Sequence, residues 1–337
     1  MIKSIPIDQF LALKKVVPII DVRSQGEFAQ GHISGAINIP ILDDVSRKIV
    51  GTMYKQYGRQ TAVLKGLELT GPDLSSTLRK GVKAAPDGRA LVHCWRGGMR
   101  SEFFAFLMHY YGFESIVLEG GYKAYRGAVH ESFDKSYKIR VLTGKTGSGK
   151  TEILHSLKQK GAQIIDLEGI SQHRGSSFGA LGMKPQPSQE QFENRLFEEL
   201  NALDISKIIW IEDESRAIGD KVIPEGIWTQ MKAAPMVEIH RTDSERMAQI
   251  LLDYGHFDIE ELKVAMARIG KRLGPQHVKQ ALNHLDQHEI SEAFEIALKY
   301  YDRAYAHLLS QREKAEIKTL DASQKKYSEI ADELNAL

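Results

Sequence analysis

The chain has 337 residues, 42% hydrophobic and 26% charged, and its 45 Lys and Arg against 44 Asp and Glu leave a formal charge of +1. That length suggests two domains or three, and the composition is sufficient to build soluble cores. No run of about 18 apolar residues occurs, so no membrane span is expected, and Met1 to Pro6 lacks a signal-peptide core. The single cysteine, Cys94, excludes an internal disulfide and a cysteine-rich zinc site, and points to a reducing cytoplasm.

Residues 1–130 alternate short apolar runs with helical patterns. Strands are predicted over Pro18–Val22, Ala36–Ile39, Ala90–His93 and Ser115–Leu118, and helices around Asp8–Lys15, Leu74–Lys80 and Ser101–Tyr110. This is an α/β pattern. A linker is expected within Lys123–Tyr137. A second α/β domain is expected over 136–242, with strands at Ile139–Leu142, Gln163–Leu167, Lys207–Ile211 and Met236–His240. Between the first two of these, Thr151–Lys160 reads as a helix stopped at Gly161. From residue 243 to 337 the pattern is helical, over Ser244–Tyr254, Ile259–Leu273 and Gln276–Gln311. That region reads as an extension of the second domain.

Cys94 directly follows the apolar run Ala90–Val92 and opens the segment Cys94-Trp95-Arg96-Gly97-Gly98-Met99-Arg100-Ser101. A strand ending in such a loop and opening a helix can aim backbone N–H groups at one centre. The helix start adds positive potential there. A thiol at that centre is expected to have a lowered pKa. The same cradle suits a tetrahedral anion. Five residues separate Cys94 from Arg100, and a loop of that length makes a wide ring of amides, fit for a phosphate-sized group. With no second cysteine in the chain, any chalcogen carried on Cys94 must be discharged by an acceptor or an external thiol.

A second cradle is predicted at Gly144-Lys145-Thr146-Gly147-Ser148-Gly149-Lys150-Thr151, which fits G-x-x-x-x-G-K-[ST] at every defined position. In that P-loop pattern the glycines admit a diphosphate to the backbone amides. Lys150 reaches the phosphates and Thr151 ligates a magnesium ion. The apolar strand Ile208–Ile211 ends in Glu212-Asp213-Glu214, and Asp213 is the predicted second ligand of that magnesium ion.

The charge is unevenly distributed. Residues 45–67 hold Arg47, Lys48, Lys55, Arg59 and Lys65 and no acid, with Tyr54 and Tyr57 interleaved. Residues 262–285 hold Lys263, Arg268, Lys271, Arg272 and Lys279, again with no acid. Such stretches suit phosphates and unstacked bases. They equally suit solvated helix faces whose balancing acids lie elsewhere.

The fragments Asp21-Val22-Arg23, Glu27-Phe28 and Gly31-His32-Ile33-Ser34-Gly35-Ala36-Ile37-Asn38-Ile39-Pro40 resemble the rhodanese domain, as does the Cys94 loop. In that setting Arg23 is expected to pair with Glu27. Together with Gly51–Gln56, Leu118–Arg126, His173–Gly179, Ile211–Gly219 and the downstream P-loop, nearly the whole chain resembles the bacterial tRNA 2-selenouridine synthase family.

The resemblance implies a rhodanese-like domain followed by a P-loop NTPase-like α/β domain with a helical C-terminal region. It implies that 2-thiouridine at the tRNA wobble position is S-geranylated by geranyl diphosphate, and that selenophosphate then supplies selenium. Cys94 would take that selenium, with Arg100 and Arg96 as cationic partners. Gly144–Thr151 would hold the diphosphate with Mg2+, and the resemblance leaves open whether ATP occupies that loop. The anticodon arm is the expected partner, contacted by Lys55, Arg59, Trp95, Arg268, Lys271 and Arg272. A selenophosphate-producing enzyme is a candidate second partner. Phe178, Phe192 and Trp210 fit either a geranyl pocket or plain core. The residues alone leave three rivals open: an ATP-dependent tRNA sulfurtransferase, a cysteine phosphatase fused to a P-loop kinase, and a nucleotide-gated binding module.

Overall fold

The computed structural model describes residues 2–310 and 316–337. The chain divides into two units, one running to Ser132 and taking in Glu193–Glu198, the other holding Phe133–Phe192 and Glu199–Leu337.

The first unit is built on five parallel strands: β1 (Lys3–Ile5), β2 (Ile19–Asp21), β3 (Ile37–Asn38), β4 (Arg89–His93) and β5 (Glu114–Leu118). Their order is β1-β5-β4-β2-β3, so β4 is central. Ala90 to His93 are all buried, as expected of a parallel strand covered on both faces. Ile20, Val22, Val92, Phe104 and Met108 form the core beside it.

The second unit repeats the plan. Its main sheet holds β6 (Lys138–Gly144), β7 (Gln163–Ile165), β8 (Ile208–Glu212), β11 (Met236–His240) and β12 (Ile317–Asp321), in the order β12-β11-β6-β8-β7. All pair in parallel. A small antiparallel ribbon, β9 (Ala217–Ile218) with β10 (Lys221–Val222), lies between β8 and β11 in sequence. Leu142, Leu154, Leu157, Val237 and Ile330 pack one core, and a helical core gathers Leu262, Met266, Leu285 and Phe294.

Four sequence expectations need correction. The segment expected as a linker is mostly the helix Gly121–Phe133, and the two units divide near its end. Tyr122, Tyr125 and Val129 are fully buried on it, so two tyrosines stand where a more apolar stripe would have signalled a helix. Residues 44–70 are helical apart from Gly58, a stretch that the apolar pattern left unassigned and the charge pattern allowed only as a solvated helix face. Ile259–Leu273 is broken into Ile259–Arg268 and Gly270–Leu273. The long C-terminal helix is two, Pro275–Asp286 and Ile290–Ser310, parted at His288 with φ +61°; Gln311 lies outside the described residues. The region after residue 243 is otherwise mainly helical, and it also supplies β12 to the sheet.

Candidate functional site

Each unit carries an anion loop at the carboxyl end of its central strand, where open parallel sheets bind ligands. In the first unit β4 ends at His93, and the helix Met99–Tyr110 begins five residues past Cys94. Gly97 has φ +66°, and a Cβ there would meet Leu118 O at 2.4 Å. Only glycine lets the loop lie against that backbone. Tyr122 N donates to Cys94 O at 2.8 Å and Lys123 N to Trp95 O at 2.9 Å, which fixes the loop from the other side.

Cys94 is buried, with its Sγ 3.2 Å from Ser101 Oγ and 3.9 Å from Gly98 O. Burial alone would raise the thiol pKa. The Ser101 hydroxyl, the Arg100 charge and the backbone amides of Ser101 and Arg96 outweigh it, and the pKa falls below the usual value of 9.0. Ser101 stood in the quoted motif, yet its role went unread because hydroxyls are common at helix starts.

Arg100 is not free to face an anion alone. Its Nη1 donates to Glu27 Oε2 at 2.7 Å and its Nη2 to Oε1 at 3.3 Å. Glu27 also accepts from Ser24 N at 3.1 Å and pairs with Arg47 at 3.3 Å. Burial opposes ionisation of Glu27, yet Arg100, Ser24 and Arg47 together bring its pKa down to about 2. The expected Arg23–Glu27 pair does not form. Arg23 Nη2 instead donates to Asp21 Oδ2 at 2.6 Å and to Gly31 O at 2.7 Å, fully buried. Asp21 lies two residues away across the strand end, nearer than the helix that carries Glu27. Arg96 is exposed beside the loop, and Trp95, 37% exposed, packs on Tyr122 at 5.8 Å between centroids.

In the second unit β6 delivers Gly144–Thr151 to the start of the helix Lys150–Gln159. Lys150 Nζ donates to Gly144 O at 3.0 Å and so lies over the loop. Ser148 Oγ is buried with no hydrogen-bond partner among the described residues. Buried Arg246 holds the crest through Thr146 O at 2.9 Å and pairs with Asp302 at 3.0 Å; Lys145 reaches the same Asp302 at 3.7 Å. The loop opens into a cavity of about 870 Å3. Tyr254, Tyr300, Tyr301, Tyr305 and Trp228 line it together with Arg174 and Arg272.

The acids beside the loop differ from the sequence reading. Thr151 Oγ1 donates to Glu212 Oε2 and Glu168 Oε2, each at 3.2 Å. Glu168, Glu212 and Glu214 offer oxygens within 4.8 Å of one another. Asp213, the predicted magnesium ligand, instead accepts from Thr143 Oγ1 at 2.7 Å. Neighbouring residues at the strand end point to different sides, so Glu212 meets Thr151 while Asp213 takes the Thr143 hydroxyl, although both line the cavity. Glu168 escaped notice because it lies on a short helix, Leu167–Ser171, just past the predicted strand Gln163–Leu167. Burial and the neighbouring carboxylates raise all three pKa values, Glu168 to about 7. The donor set is all oxygen, as a hard divalent cation requires.

Phe178, Phe192 and Trp210 are buried core residues. Among the proposed RNA contacts, Lys55, Arg59 and Arg268 are exposed. Arg272 is exposed, bonds Tyr300 and lines the cavity. The side chain of Lys271 lies outside the described residues. Lys263 is paired with Glu260 and Asp286, so part of the second basic stretch is balanced by acids just beyond it.

The family model described as "tRNA 2-selenouridine synthase AAA domain" matches residues 137–335, and that of the rhodanese-like domain matches residues 7–128. The chain belongs to the tRNA 2-selenouridine synthase family. It is 31% identical to the tRNA 2-selenouridine synthase of Shewanella denitrificans, across 92% of this chain and 93% of that one. It is 35% identical to that of Cupriavidus necator, across 88% and 89%. A solved N-terminal domain from Clostridium difficile 630 is 35% identical over 38% of this chain and 98% of its own, with a TM-score of 0.35. The protein is therefore an enzyme that modifies uridine in tRNA to 2-selenouridine, and family membership sets aside the sulfurtransferase, phosphatase–kinase and binding-module readings. Among the described residues no helix is long and apolar enough to cross a membrane.

Proposed function

We propose that selenium enters the wobble uridine of the tRNA anticodon arm in two steps, each served by one loop. In the first, the thiocarbonyl sulfur of 2-thiouridine attacks C1 of geranyl diphosphate. The C–O bond breaks, and diphosphate departs into the Gly144–Thr151 loop. Lys150 and the loop amides take up the developing charge. Thr151, Glu212 and Glu168 are the residues that would hold magnesium, which when bound supplies further neutralisation of the diphosphate. Alkylation matters because a thiol leaves far more readily than a sulfide dianion. The aromatic wall of the cavity supports an apolar donor at this loop rather than at Cys94.

In the second step the Cys94 thiolate attacks the phosphorus of selenophosphate. The P–Se bond breaks and its electron pair leaves with selenium. The released selenide displaces geranylthiol at C2, and water cleaves the phosphocysteine to phosphate. This refines the expectation that Cys94 receives selenium itself, because that route would leave the bonding pair on phosphorus and form phosphite. Arg96, exposed at the rim, adds a second cation for the phosphoryl oxygens.

The observation that carries the reading is the thiolate-favouring Cys94 at the base of a phosphate-sized loop. The test uses tRNA that is already S-geranylated, with selenophosphate labelled in phosphorus. Rapid quench should trap label on Cys94 before 2-selenouridine appears. Phosphite as the released product would overturn the phosphoryl route and restore selenium transfer to Cys94.

A further inference from the structure

The helical segment Asp44–Thr70 is interrupted at Gly58, with φ +84° and ψ −179°. Along an unbroken helix residues 50 and 66 would lie about 24 Å apart. Instead, a Cβ on Gly66 would sit 3.9 Å from Val50 Cγ2. The chain therefore turns back at Gly58, a turn that needs the left-handed φ glycine allows. Residues 44–57 and 59–70 pack as an antiparallel pair. Burial agrees, for Ala62 and Thr70 are buried and Val50 and Met53 half-buried on the facing sides. Each arm is roughly 20 Å long.

Every residue from Tyr54 to Gln60, at the turn, is exposed. Tyr54 is 50% and Tyr57 64% exposed, with Lys55 and Arg59 beside them. Lys48, Lys55 and Arg59 form no ion pair among the described residues, unlike Lys263 in the second basic stretch. The base of the hairpin is anchored beside the Cys94 loop. Gly26 N donates to Asp44 at 3.0 Å, and Arg47 shares Glu27 with Arg100.

We propose that this hairpin is the finger that docks tRNA. Lys55 and Arg59 at its tip bind phosphates, and Tyr54 and Tyr57 lie against the faces of unpaired bases. The proposal rests on the family's action on tRNA and is independent of which donors supply the geranyl and selenium groups. Charge decides between occupants. Arg47 and Lys65 are paired with Glu27 and Glu68, but a second copy laid on this surface would still bring two sets of unpaired Lys48, Lys55 and Arg59 together, whereas a polyanion neutralises them. Bare tyrosines between unpaired cations are the chemistry that holds single-stranded nucleotides.

The experiment is filter binding of an unmodified tRNA transcript across a salt series, with no donor present. In Lys55→Ala/Arg59→Ala the slope of log K against log salt should flatten by about 1.4, from two lost single-strand phosphate contacts. In Tyr54→Ala/Tyr57→Ala the affinity should fall by about 30-fold or more with the slope unchanged. Lys263→Ala, whose charge is already held by Glu260 and Asp286, should change neither. Cys94 alkylation rates verify that the first unit is folded in each variant. Unchanged affinity and slope in both double variants would overturn the proposal. So would a lower sedimentation mass in Tyr54→Ala/Tyr57→Ala, which would mean that a second copy covers the tip.

Discussion

The two loops occupy the same place in two similar sheets and solve opposite electrostatic problems. The Cys94 loop has its inner arginine engaged before any ligand arrives, because Arg100 is held by Glu27, which Arg47 shares. What remains reactive there is a buried thiol tuned by one hydroxyl and a few amides. The Gly144–Thr151 loop is left unbalanced. Three carboxylates crowd Thr151, Ser148 Oγ has no partner among the described residues, and Lys150 lies over the loop backbone. On the proposed reading, the first loop serves a covalent step on a small anion and the second gains a cation and a diphosphate together. The same strand–loop–helix frame thus serves two chemistries through the side chains around it.

Removing Cys94 separates the loops most sharply. Cys94→Ser should abolish 2-selenouridine while S-geranyl-2-thiouridine still forms, since only the second step needs a soft nucleophile. Nucleoside mass spectrometry after incubation with both donors reads the two products. Loss of both would mean that the two loops do not divide the work.

The acid cluster supplies the next largest effect. Glu212→Gln should slow alkylation on the order of 10²-fold, the scale of losing one strong electrostatic contact to the departing group. Asp213→Asn should cost far less, because Asp213 bonds Thr143 rather than facing Thr151. Isothermal titration of magnesium into each variant checks the same contrast without turnover. Equal loss in both variants would return Asp213 to the metal site.

Ser101→Ala should act more mildly. It leaves Cys94 in place and removes the hydroxyl 3.2 Å from Sγ, so the thiol pKa should rise. Iodoacetamide labelling across pH should show its midpoint displaced upward, with slower labelling at neutral pH. An unmoved midpoint would assign the tuning to Arg100 and the amides instead.

What the sequence made legible follows from its local signals. Both loops were readable because each joins a short apolar strand to a helix through glycines, a pattern carried by neighbouring residues. The partners were not. Glu27 reaches Arg100 across 73 positions, and Glu168 meets Thr151 from a short helix that begins where the expected strand ends. Asp213 was chosen over Glu212 because composition marks the end of a strand and not which face each residue takes. The hairpin at Gly58 was hidden for a related reason. Its arms expose most of their residues, so no apolar stripe announced a helix, and the same segment stood out only by its charge.

The comparison extends to acid, where the two units should respond with opposite sign. His93, fully buried behind the Cys94 loop, has its pKa brought down to about 4, first by burial and then by the Arg23 charge, with Asp21 opposing. Its folded pKa lies below the unfolded value of about 6.5, so the unfolded chain takes up the proton first. Stability from this group is complete above pH 6.5 and is lost as pH falls toward 4. The loss approaches but does not exceed about 1.4 kcal/mol per pH unit inside that window. Glu27, at about 2, adds no loss until pH falls below the ordinary carboxylate range. In the metal-free second unit the sign reverses. Glu168, at about 7, is raised first by burial and then by Asp166, so its contribution is complete below pH 4.5 and is lost as pH rises through 7. Acidifying from pH 7 to pH 5 should therefore loosen the first unit and tighten the second. Hydrogen exchange resolved by peptide reads the two separately. His93→Phe should remove the acid response around β4, and saturating magnesium should cancel that around Thr151, because a bound cation displaces the protons. Parallel responses in both units would mean that neither buried group controls its own domain.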